Sequence, residues 1–576
     1  MKTFFKKGLI TVLAAAMAIA SMTTLVGCGP RGEQIDATKT QLHVSNYDGG
    51  FGTEWLYAAK DRFTELVKDV PFESGKTGVQ IHINPNRDEV GTNIQAGTDN
   101  IYFGQDIRIN DLITQGLVVD ISDIVTEETL ADVSGGAETG KIVDKINADR
   151  RSVLTALDGK YYALPHNSSF AGMSYDAKLF TAKRYYLKAQ ADGSWNGQTN
   201  AGGWTNVDAD KTVGPNGVRG DYDDGLPSTL EELTALFNRI AQVGDEPLIW
   251  PGRHTWYVSL LAEGLWTNLS GADEAKLSFD FGSETANNTM RVVTGFNGDT
   301  PIVETKTITP ATGYLTKQSE ARYYMVKAMY DVLSNVDKYL SKDWTGALCH
   351  TETQYEYIYS DLESAKDGNS IAMIVDGCWW YNEAKSAFAS SEKTYADDAR
   401  NRDFRYMPLP WKVSGGVKEG EGRKPTLLDD ASSYAIINAK TTPEGGVRDA
   451  AKMFLKFLYT DSECIAFQTT TGAPKSVNYT LPDTTKQGMN SFYRSVADIV
   501  ADANVVLPAS AHGIYVHNQS DFMPLRAYIF GSTVNNTEYE FPYNIFTQKQ
   551  VTVKQYFQGM AITQADWTSA YRTWLA

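Results

Sequence analysis

The sequence contains little cysteine, with four in 576 residues. Three of them, Cys349, Cys378 and Cys464, lie far apart and form no Cys-x-x-Cys pair. This spacing excludes a disulfide framework and a zinc knuckle. We therefore predict buried free thiols, with at most one disulfide bond.

Basic charge is also in short supply. The chain has 53 Lys and Arg residues against 70 Asp and Glu residues, a formal net charge of -17, and no basic cluster. A chain this acidic is repelled by nucleic-acid phosphates and by anionic lipid headgroups. Nucleic acid is excluded as a partner.

Long apolar runs are absent except near the N-terminus. The run from Leu9 to Ala20 follows three lysines, Lys2, Lys6 and Lys7. It is shorter than the roughly 20 residues that cross a bilayer, and a short run behind positive charge is typical of a signal sequence. We predict an exported protein with no membrane-spanning helix in its mature form.

The signal sequence ends in Leu25-Val26-Gly27-Cys28, which resembles the lipobox of bacterial lipoproteins. That resemblance implies removal of residues 1–27, lipidation of Cys28, a tether over 28–40 and anchorage outside the cytoplasmic membrane. Removal takes away three lysines and no acid, so the net charge falls from -17 to about -20. The alternative is an ordinary secretory signal that happens to contain a cysteine.

Motifs of familiar catalytic sites are missing. The chain has no His-Glu-x-x-His, no nucleophile elbow and no Walker loop with its Lys-Ser/Thr pair. We therefore predict a binding protein that needs no cofactor. A secreted glycoside hydrolase stays open as the alternative, because its two carboxylates need not stand in a recognisable motif.

Alternating and helical periodicities predict an α/β fold. Leu42–Val44 is a strand, the loop 46–52 is rich in glycine, apolar residues from Trp55 to Val67 recur at helical spacing, and Val79–Ile83 is a second strand. Strand, loop, helix and strand form a βαβ unit. Such units imply a parallel sheet with ligands at the carboxyl ends of its strands.

Similar patterns recur along the chain. Further predicted elements are a strand end and helix within 102–117, a strand over 161–165, a helix over 230–240 capped by Thr229 or Ser228, buried strands over 371–375 and 434–437, a helix over 450–459 and a largely helical last hundred residues. At this length we expect two core-forming units.

Four stretches resemble the extracellular solute-binding proteins of ATP-driven (ABC) importers, in the branch typified by maltodextrin-binding protein. They are Tyr47 to Trp55, Asp106 to Leu117, Asp158 to Pro165 and Ala372 to Trp379. The resemblance implies a two-lobed type II periplasmic-binding (Venus-flytrap) fold that closes on a solute. It places lobe 1 at 41–165 and 430–475, and lobe 2 at 166–429 and 476–576, with insertions near 190–225 and 270–320.

Sugar binding calls for flat aromatic rings and for polar groups that pair with hydroxyls. In the first lobe the candidates are Asp48 and Phe51 in the glycine-rich loop, Asp106, Arg108, His166 and Asn167. Four of them have a simpler alternative: Asp48 stabilises a helix-capping turn, Asp106 pairs with Arg108, and His166 is an ordinary loop histidine.

Candidates in the second lobe follow two predicted strands. Trp250, Arg253, His254 and Trp256 come after Pro247–Ile249, and Asp376 and Trp379 come at the end of the buried strand, with Tyr515 as a weaker candidate. Trp379 occupies the stacking position that the resemblance implies, and we expect Trp380 to fill core. The alternative for Trp256 is also a place in the core.

Acidic residues in the first insertion, such as Asp221, Asp223 and Asp224, have oxygens suited to calcium. Their spacing misses the EF-hand pattern, which has a central glycine and a final glutamate. We therefore expect a solvated acidic loop and no metal.

Together these features predict a monomeric, lipid-anchored receptor. It would capture an oligosaccharide and deliver it by hinge closure to the transmembrane permease subunits of an ABC importer. The family's acidic residues near the hinge and in the second-lobe wall are here Ser169 and Gly252, so a maltodextrin is not implied. A non-sugar solute, such as a peptide or a polyamine, remains a second alternative.

Overall fold

A computed structural model of the chain describes residues 34–86, 94–105, 107–250, 255–282, 287–333, 370–386, 388–389, 402–413, 424–429, 433–507, 533–534, 537–538 and 551–570. The strands within them are β1 Thr40–Tyr47, β2 Val79–Asn86, β3 Ile101–Gly104, β4 Leu164–Pro165, β5 Ala171–Asp176, β6 Tyr186–Leu187, β7 Trp204–Thr205, β8 Glu246–Ile249, β9 Thr289–Asn297, β10 Thr300–Thr307, β11 Ile371–Gly377, β12 Phe404–Met407, β13 Thr426–Leu428, β14 Tyr434–Ile437, β15 Asn504–Val506, β16 Thr533–Val534 and β17 Thr537–Glu538.

The α-helices are α1 Glu54–Leu66, α2 Ile109–Thr114, α3 Ile142–Lys145, α4 Ala148–Leu154, α5 Ala177–Lys183, α6 Leu230–Val243, α7 Thr255–Asp280, α8 Glu320–Leu333, α9 Trp380–Glu383, α10 Gly446–Phe457, α11 Asp461–Thr471, α12 Asp483–Gly488, α13 Ser491–Asp502, α14 Val553–Gly559 and α15 Gln564–Ala570. A π-helical turn covers Asp123–Glu127, and 3-10 turns cover Ala201–Gly203, Asp208–Asp210 and Pro310–Gln318.

The first sheet has the strand order β2-β1-β3-β14-β4. β1 runs parallel to β2 and β3, with Thr40 opposite Val79 and Val44 opposite Ile101. α1 buries Trp55, among other apolar residues, against this sheet. The predicted βαβ unit is confirmed, because the strand alternation and the helical spacing direct their apolar faces to one shared core.

The second sheet has the order β12-β5-β11-β8. All seven residues of β11 are buried, as predicted for a strand inside the sheet. β11 is parallel to β8 but antiparallel to β5, and in the first sheet β14 is antiparallel to both of its neighbours. The predicted parallel pairing is therefore confirmed for β1 with β2 and β3 and for β11 with β8, and both sheets also contain antiparallel pairs that were not predicted. The chain reaches β5 from the first sheet, and it reaches β14 after leaving the second sheet. Neither strand is therefore joined to a neighbouring strand by a βαβ crossover, the connection that makes two strands parallel.

The strands fall into two separate large sheets flanked by helices, which confirms the α/β class and the expectation of two lobes. Of the two largest apolar clusters, one contains Met173, Leu248 and Met373 of the second sheet. The other contains the first sheet together with residues of the second, such as Ile249 and Ile374, so the two lobes share apolar packing. The chain leaves the first sheet after Pro165, enters the second at Ala171 and returns to the first at Tyr434. The lobe limits derived from the sequence remain predictions.

Helix α6 shows how local sequence sets an element boundary. The Thr229 side chain accepts from the Glu232 amide at 3.1 Å, and the Glu232 carboxylate accepts from the Thr229 amide at 3.0 Å. This reciprocal capping box confirms the predicted cap. The helix stops at Gly244, whose φ of 97° is the left-handed conformation that favours glycine.

The predicted insertions carry short ordered elements. In 190–225, β7 pairs with β6, and the Trp195 ring nitrogen donates to the Gly203 carbonyl at 3.0 Å. In 270–320, β9 and β10 form an antiparallel hairpin. None of the helices in the described ranges is both long enough and apolar enough to span a bilayer.

Cys378 and Cys464 are buried free thiols, as predicted. Burial raises the pKa of each thiol to about 12, so both are protonated at neutral pH. Cys28 and Cys349 lie outside the described residues.

Candidate functional site

A recess lies where strands of the first sheet end. It is lined by the loops that follow β1, β3 and β4 and holds about 250 Å³ of space, open solvent included. Three of its lining residues, Phe51, His166 and Asn167, are predicted site residues. The other lining residues are Asn46, Tyr47, Gly49, Gly52, Trp55, Phe103, Gly104 and Gln105. The recess therefore lies at the strand ends, where the sequence predicts the ligand contacts.

The loop after β1 is held in shape by its own polar side chains. Asp48 accepts a hydrogen bond from the Thr53 hydroxyl. The Asn46 amide donates to the same hydroxyl oxygen at 3.0 Å and to the Gly52 carbonyl at 3.2 Å. Gly50 and Gly52 adopt φ values of 58° and 70°, which favour glycine. Asp48 therefore stabilises the turn before α1, which is the alternative to a binding role given above. It is not among the residues that line the recess.

One wall of the recess is aromatic. The Trp55 and Phe103 rings meet edge to face at a centroid distance of 5.2 Å. The His166 ring packs against both, at 5.0 Å from Trp55 and 4.8 Å from Phe103. All three rings are buried, at 3%, 1% and 7% exposure for Trp55, Phe103 and His166, and they pack mainly on one another. Sequence periodicity assigned Trp55 only to the core-facing side of a helix, so its place at the recess went unpredicted.

Behind His166 lies a buried lysine that sequence reasoning missed. Lys475 is 3% exposed, and its Nζ lies 3.1 Å from His166 Nδ1. Burial lowers the Lys475 pKa to about 8, and burial together with Lys475 holds the His166 pKa well below its usual value. At neutral pH the ammonium donates to Nδ1 of a neutral imidazole. The remaining proton of His166 is then on Nε2, which makes that nitrogen a donor.

Asn167, which also lines the recess, carries a second donor. It is 3% exposed, and its Nδ2 atom has no hydrogen-bond partner among the described residues. Leaving a buried amide N–H unpaired costs about 1 to 3 kcal/mol, so such a group is well suited to pair with a ligand oxygen.

Trp379 approaches this region from the second sheet. It is half-buried at the end of β11, and a methyl group placed on Gly50 would lie 3.7 Å from its Cβ atom. Next to it, the Asn382 amide donates to the Gly50 carbonyl at 3.1 Å, and the Gly50 amide donates to the Glu383 carboxylate at 3.3 Å. The structure thus places Trp379 against the loop that lines the recess.

Three predicted residues lie elsewhere. Trp250 is 1% exposed in the core of the second lobe, so its assignment to the cleft wall is wrong. Asp376 is 0% exposed, and its carboxylate accepts from the Gly377 amide at 2.7 Å, away from the recess. Arg108 is exposed and pairs with Asp111 at 3.1 Å. In each case the side chain forms a local interaction or packs in the core. Trp380, expected in the core, is fully buried there.

The remaining candidates stay predictions. Asp106, Arg253, His254 and Tyr515 lie outside the described residues, as does the side chain of Trp256, which falls in the first turn of α7. A larger hollow of about 940 Å³, open solvent included, lies between α6 and α8. None of the predicted ligand-binding residues borders it.

No family model matches the sequence, and no curated protein matches it. Among solved structures, the chain is similar to the cyclic alpha-maltosyl-1,6-maltose binding protein of Arthrobacter globiformis, with 13% identity over 93% of this chain and 100% of that one and a TM-score of 0.49. It is similar to RafE of Streptococcus pneumoniae, with 13% identity over 94% and 99% of the two chains and a TM-score of 0.49. It is also similar to a mannobiose-bound binding protein of an ABC transporter from Bifidobacterium animalis, with 14% identity over 95% and 99% and a TM-score of 0.48. At these values the likeness leaves the ligand to be argued from this chain's own residues.

Proposed function

We propose that this protein is the extracellular binding component of an ABC importer and holds an oligosaccharide at the recess beside β1, β3 and β4. The observation that supports this most directly is Asn167, a buried amide donor beside aromatic rings. A sugar offers hydroxyl oxygens to such a donor and C–H faces to the rings. His166, held as a second donor by Lys475, adds to the same pattern.

Closure of the two lobes accounts for the small size of the recess. The space that it encloses is only about 10 Å³, enough for about one water molecule and far below the roughly 300 to 1,000 Å³ of typical small-molecule sites. The contacts of Gly50 with Asn382 and Glu383 join the loop of the first sheet to the helix after β11. An opening motion that separates these contacts would enlarge the recess and expose the Trp379 ring. Ligand binding would then favour the closed form, because only that form brings both sets of groups to the sugar.

The composition of the recess favours binding over hydrolysis. Its described lining residues include no Asp or Glu, whereas glycoside hydrolysis needs two carboxylates about 5 to 10 Å apart. A polyamine would also need carboxylates as partners. An oligosaccharide needs no carboxylate partner, so it is the ligand class that this lining suits best.

Membrane attachment and delivery are further parts of the proposal. Cys28 would carry the lipid, and residues 28–40 would tether the lobes near the permease. Mass spectrometry of the mature N-terminus tests the first point, and Cys28→Ser should release the protein into the medium. A Cys28→Ser protein that stays membrane-bound would rule out lipid anchorage at this residue.

Titration calorimetry of the mature chain against oligosaccharides of different monomers and linkages tests the ligand class. Trp379→Ala should weaken binding of the best ligand by about 1 to 3 kcal/mol, by analogy with nucleobases stacked on aromatic side chains. Asn167→Ala should cost about 1 to 2 kcal/mol through the lost hydrogen bond. Tyr57→Ala, on the exposed face of α1, is the matched aromatic control and should bind as the parent does.

Two results would contradict the proposal. One is the absence of heat with any sugar together with binding of a peptide or a polyamine. The other is release of reducing ends when the protein is incubated with its ligand, which would indicate a hydrolase.

A further inference from the structure

Three carboxylates come together in the insertion that precedes α6. One carboxylate oxygen from each of Asp221, Asp223 and Asp224 lies within 4.8 Å of the other two. Asp221 is exposed, but Asp223 is 0% exposed. The expectation of a solvated acidic loop is therefore wrong for Asp223.

Two oxygens of this cluster lack hydrogen-bond donors. Asp223 accepts from the Asn216 amide at 2.8 Å, and Asp224 accepts from the Gly220 amide at 2.7 Å, in both cases through Oδ2. Their Oδ1 atoms are buried and have no hydrogen-bond partner within the described part of the chain. A buried carboxylate oxygen with no donor is costly unless a proton or a cation neutralises it.

The three carboxylates also repel one another. Burial, with contributions from Asp221 and Asp224, raises the pKa of Asp223 to about 9. Burial also raises the pKa of Asp224. Three anions at this spacing cannot all remain charged without compensation. The nearby Arg219 guanidinium donates instead to the carbonyls of Ala209 and Lys211, at 3.3 and 3.1 Å.

The backbone leaves no room for a side chain beside this carboxylate. Gly214 has a φ of 62°, and a Cβ atom there would lie 2.3 Å from Asp223 Oδ1 and 2.3 Å from the Asp223 carbonyl oxygen. Only glycine permits this approach. The Asp223 carbonyl itself accepts from the Leu226 amide at 3.0 Å, so the loop turns tightly around the acidic cluster.

The cluster is also connected to the C-terminal part of the fold. Asn216 Nδ2 donates to Asp221 at 2.7 Å and to Asp502 at 3.1 Å, and the Tyr222 hydroxyl donates to Asp502 at 3.0 Å. Asp502 is the last residue of α13. A ligand that orders the acidic loop would therefore also stabilise its contact with α13.

We propose that Asp221, Asp223 and Asp224 bind a divalent cation of the Ca²⁺ class, which fastens the insertion to α13. Ca²⁺ accepts six to eight oxygen ligands in flexible geometry, so carboxylates of unequal exposure suit it, with carbonyls or water completing the shell. Mg²⁺ demands a stricter octahedron and fits such a loop less well. This site shares no residues with the sugar recess, so the proposal of a cation site does not depend on the proposed sugar binding.

The test uses the full mature chain, freed of metal with a chelator and titrated with Ca²⁺ by calorimetry. We expect one Ca²⁺ per chain and a rise in Tm, because a ligand that binds only the folded state stabilises it. Asp221→Asn should weaken Ca²⁺ binding about tenfold or more, since carboxylate number sets affinity in such sites. Asp192→Asn is the matched control in the same insertion: Asp192 accepts from the Ser194 amide at 2.9 Å and from the Ser194 hydroxyl at 2.6 Å, and its variant should bind Ca²⁺ as the parent does.

Asp223→Asn is the more severe variant, and it should abolish Ca²⁺ binding if it folds. Should it fail to fold, the exposed Asp221 still decides the matter. The proposal is overturned if the parent chain takes up no Ca²⁺ and shows a Tm unaffected by Ca²⁺ and chelator, because a shared proton then neutralises the cluster. It is equally overturned if Asp221→Asn binds Ca²⁺ as the parent chain does.

Discussion

Replacing Lys475 with methionine should make the protein more stable at neutral pH. The Lys475 ammonium is buried against three aromatic rings, with its Nζ 4.6 Å from the Phe467 centroid and 5.1 Å from those of Trp55 and Tyr459. The ammonium also donates a hydrogen bond to His166 Nδ1. Methionine has a similar length and no charge to desolvate, so it removes the cost of burying the ammonium.

The size of the effect follows from the Lys475 pKa. Burial lowers that pKa from 10.5 in the unfolded chain to about 8 in the fold. Since one pKa unit corresponds to about 1.4 kcal/mol, the fold is about 3 kcal/mol less stable at pH 7 than it would be with a neutral side chain. Attraction of the ammonium to the ring faces, about 1 to 2 kcal/mol, offsets part of this. We expect Lys475→Met to gain about 1 to 3 kcal/mol at pH 7.

The lowered pKa of Lys475 also makes the stability of the fold depend on pH. The unfolded state binds more protons than the folded state between about pH 8 and 10.5, so parent stability rises with pH across that window and is flat below it. The advantage of Lys475→Met should therefore be constant below about pH 8 and shrink as the pH approaches 10.5. Urea unfolding of both proteins between about pH 7 and 10, followed by circular dichroism, measures the difference.

Lys475→Gln provides the matched comparison. It also removes the charge but keeps a donor for His166, so it should show the same pH dependence with a different constant offset. A stability difference between Lys475→Met and the parent that does not change over this range would refute the reasoning. It would show that Lys475 is not desolvated in the folded state.

Three further changes have defined outcomes. Thr229→Ala removes the α6 cap and should lower the free energy of unfolding by about 1 kcal/mol in urea titrations, whereas Thr229→Ser should not. Arg150→Met leaves the buried Asp429 carboxylate without its arginine and should cost about 3 to 5 kcal/mol, and adding Asp429→Asn should restore most of it; equal stability of the single and double variants would contradict this. Gly377→Ala would place a methyl group 2.2 Å from the Trp379 ring, so it should displace that ring and weaken sugar binding in calorimetry while the overall circular dichroism spectrum is unchanged.

Secondary structure could be predicted where the sequence repeats a local pattern. The alternation in β1 and β2, the helical spacing in α1 and the Thr229 cap of α6 all depend on residues a few positions apart. Such short-range signals survive in any tertiary context that buries the apolar face. Strand direction was less predictable, because β5 and β14 take theirs from chain crossings between the sheets.

The candidate site was predicted in part. Phe51, His166 and Asn167 border one recess because each follows a strand of the same sheet. The sequence shows which residues follow each predicted strand, so these three could be predicted. Trp250 was misassigned, because a tryptophan after a strand fits a cleft wall and a lobe core equally well until packing is known.

The sequence by itself determined the elements whose causes are local: the βαβ unit, the helix caps and the glycine-rich turn. Tertiary structure alone decided which charges are buried. Lys475 meets His166 across 309 residues, and Asp223 loses its solvent only when the loop folds back on itself. The energetic cost of a buried charge depends on what surrounds it in space, and sequence neighbours do not reveal that environment.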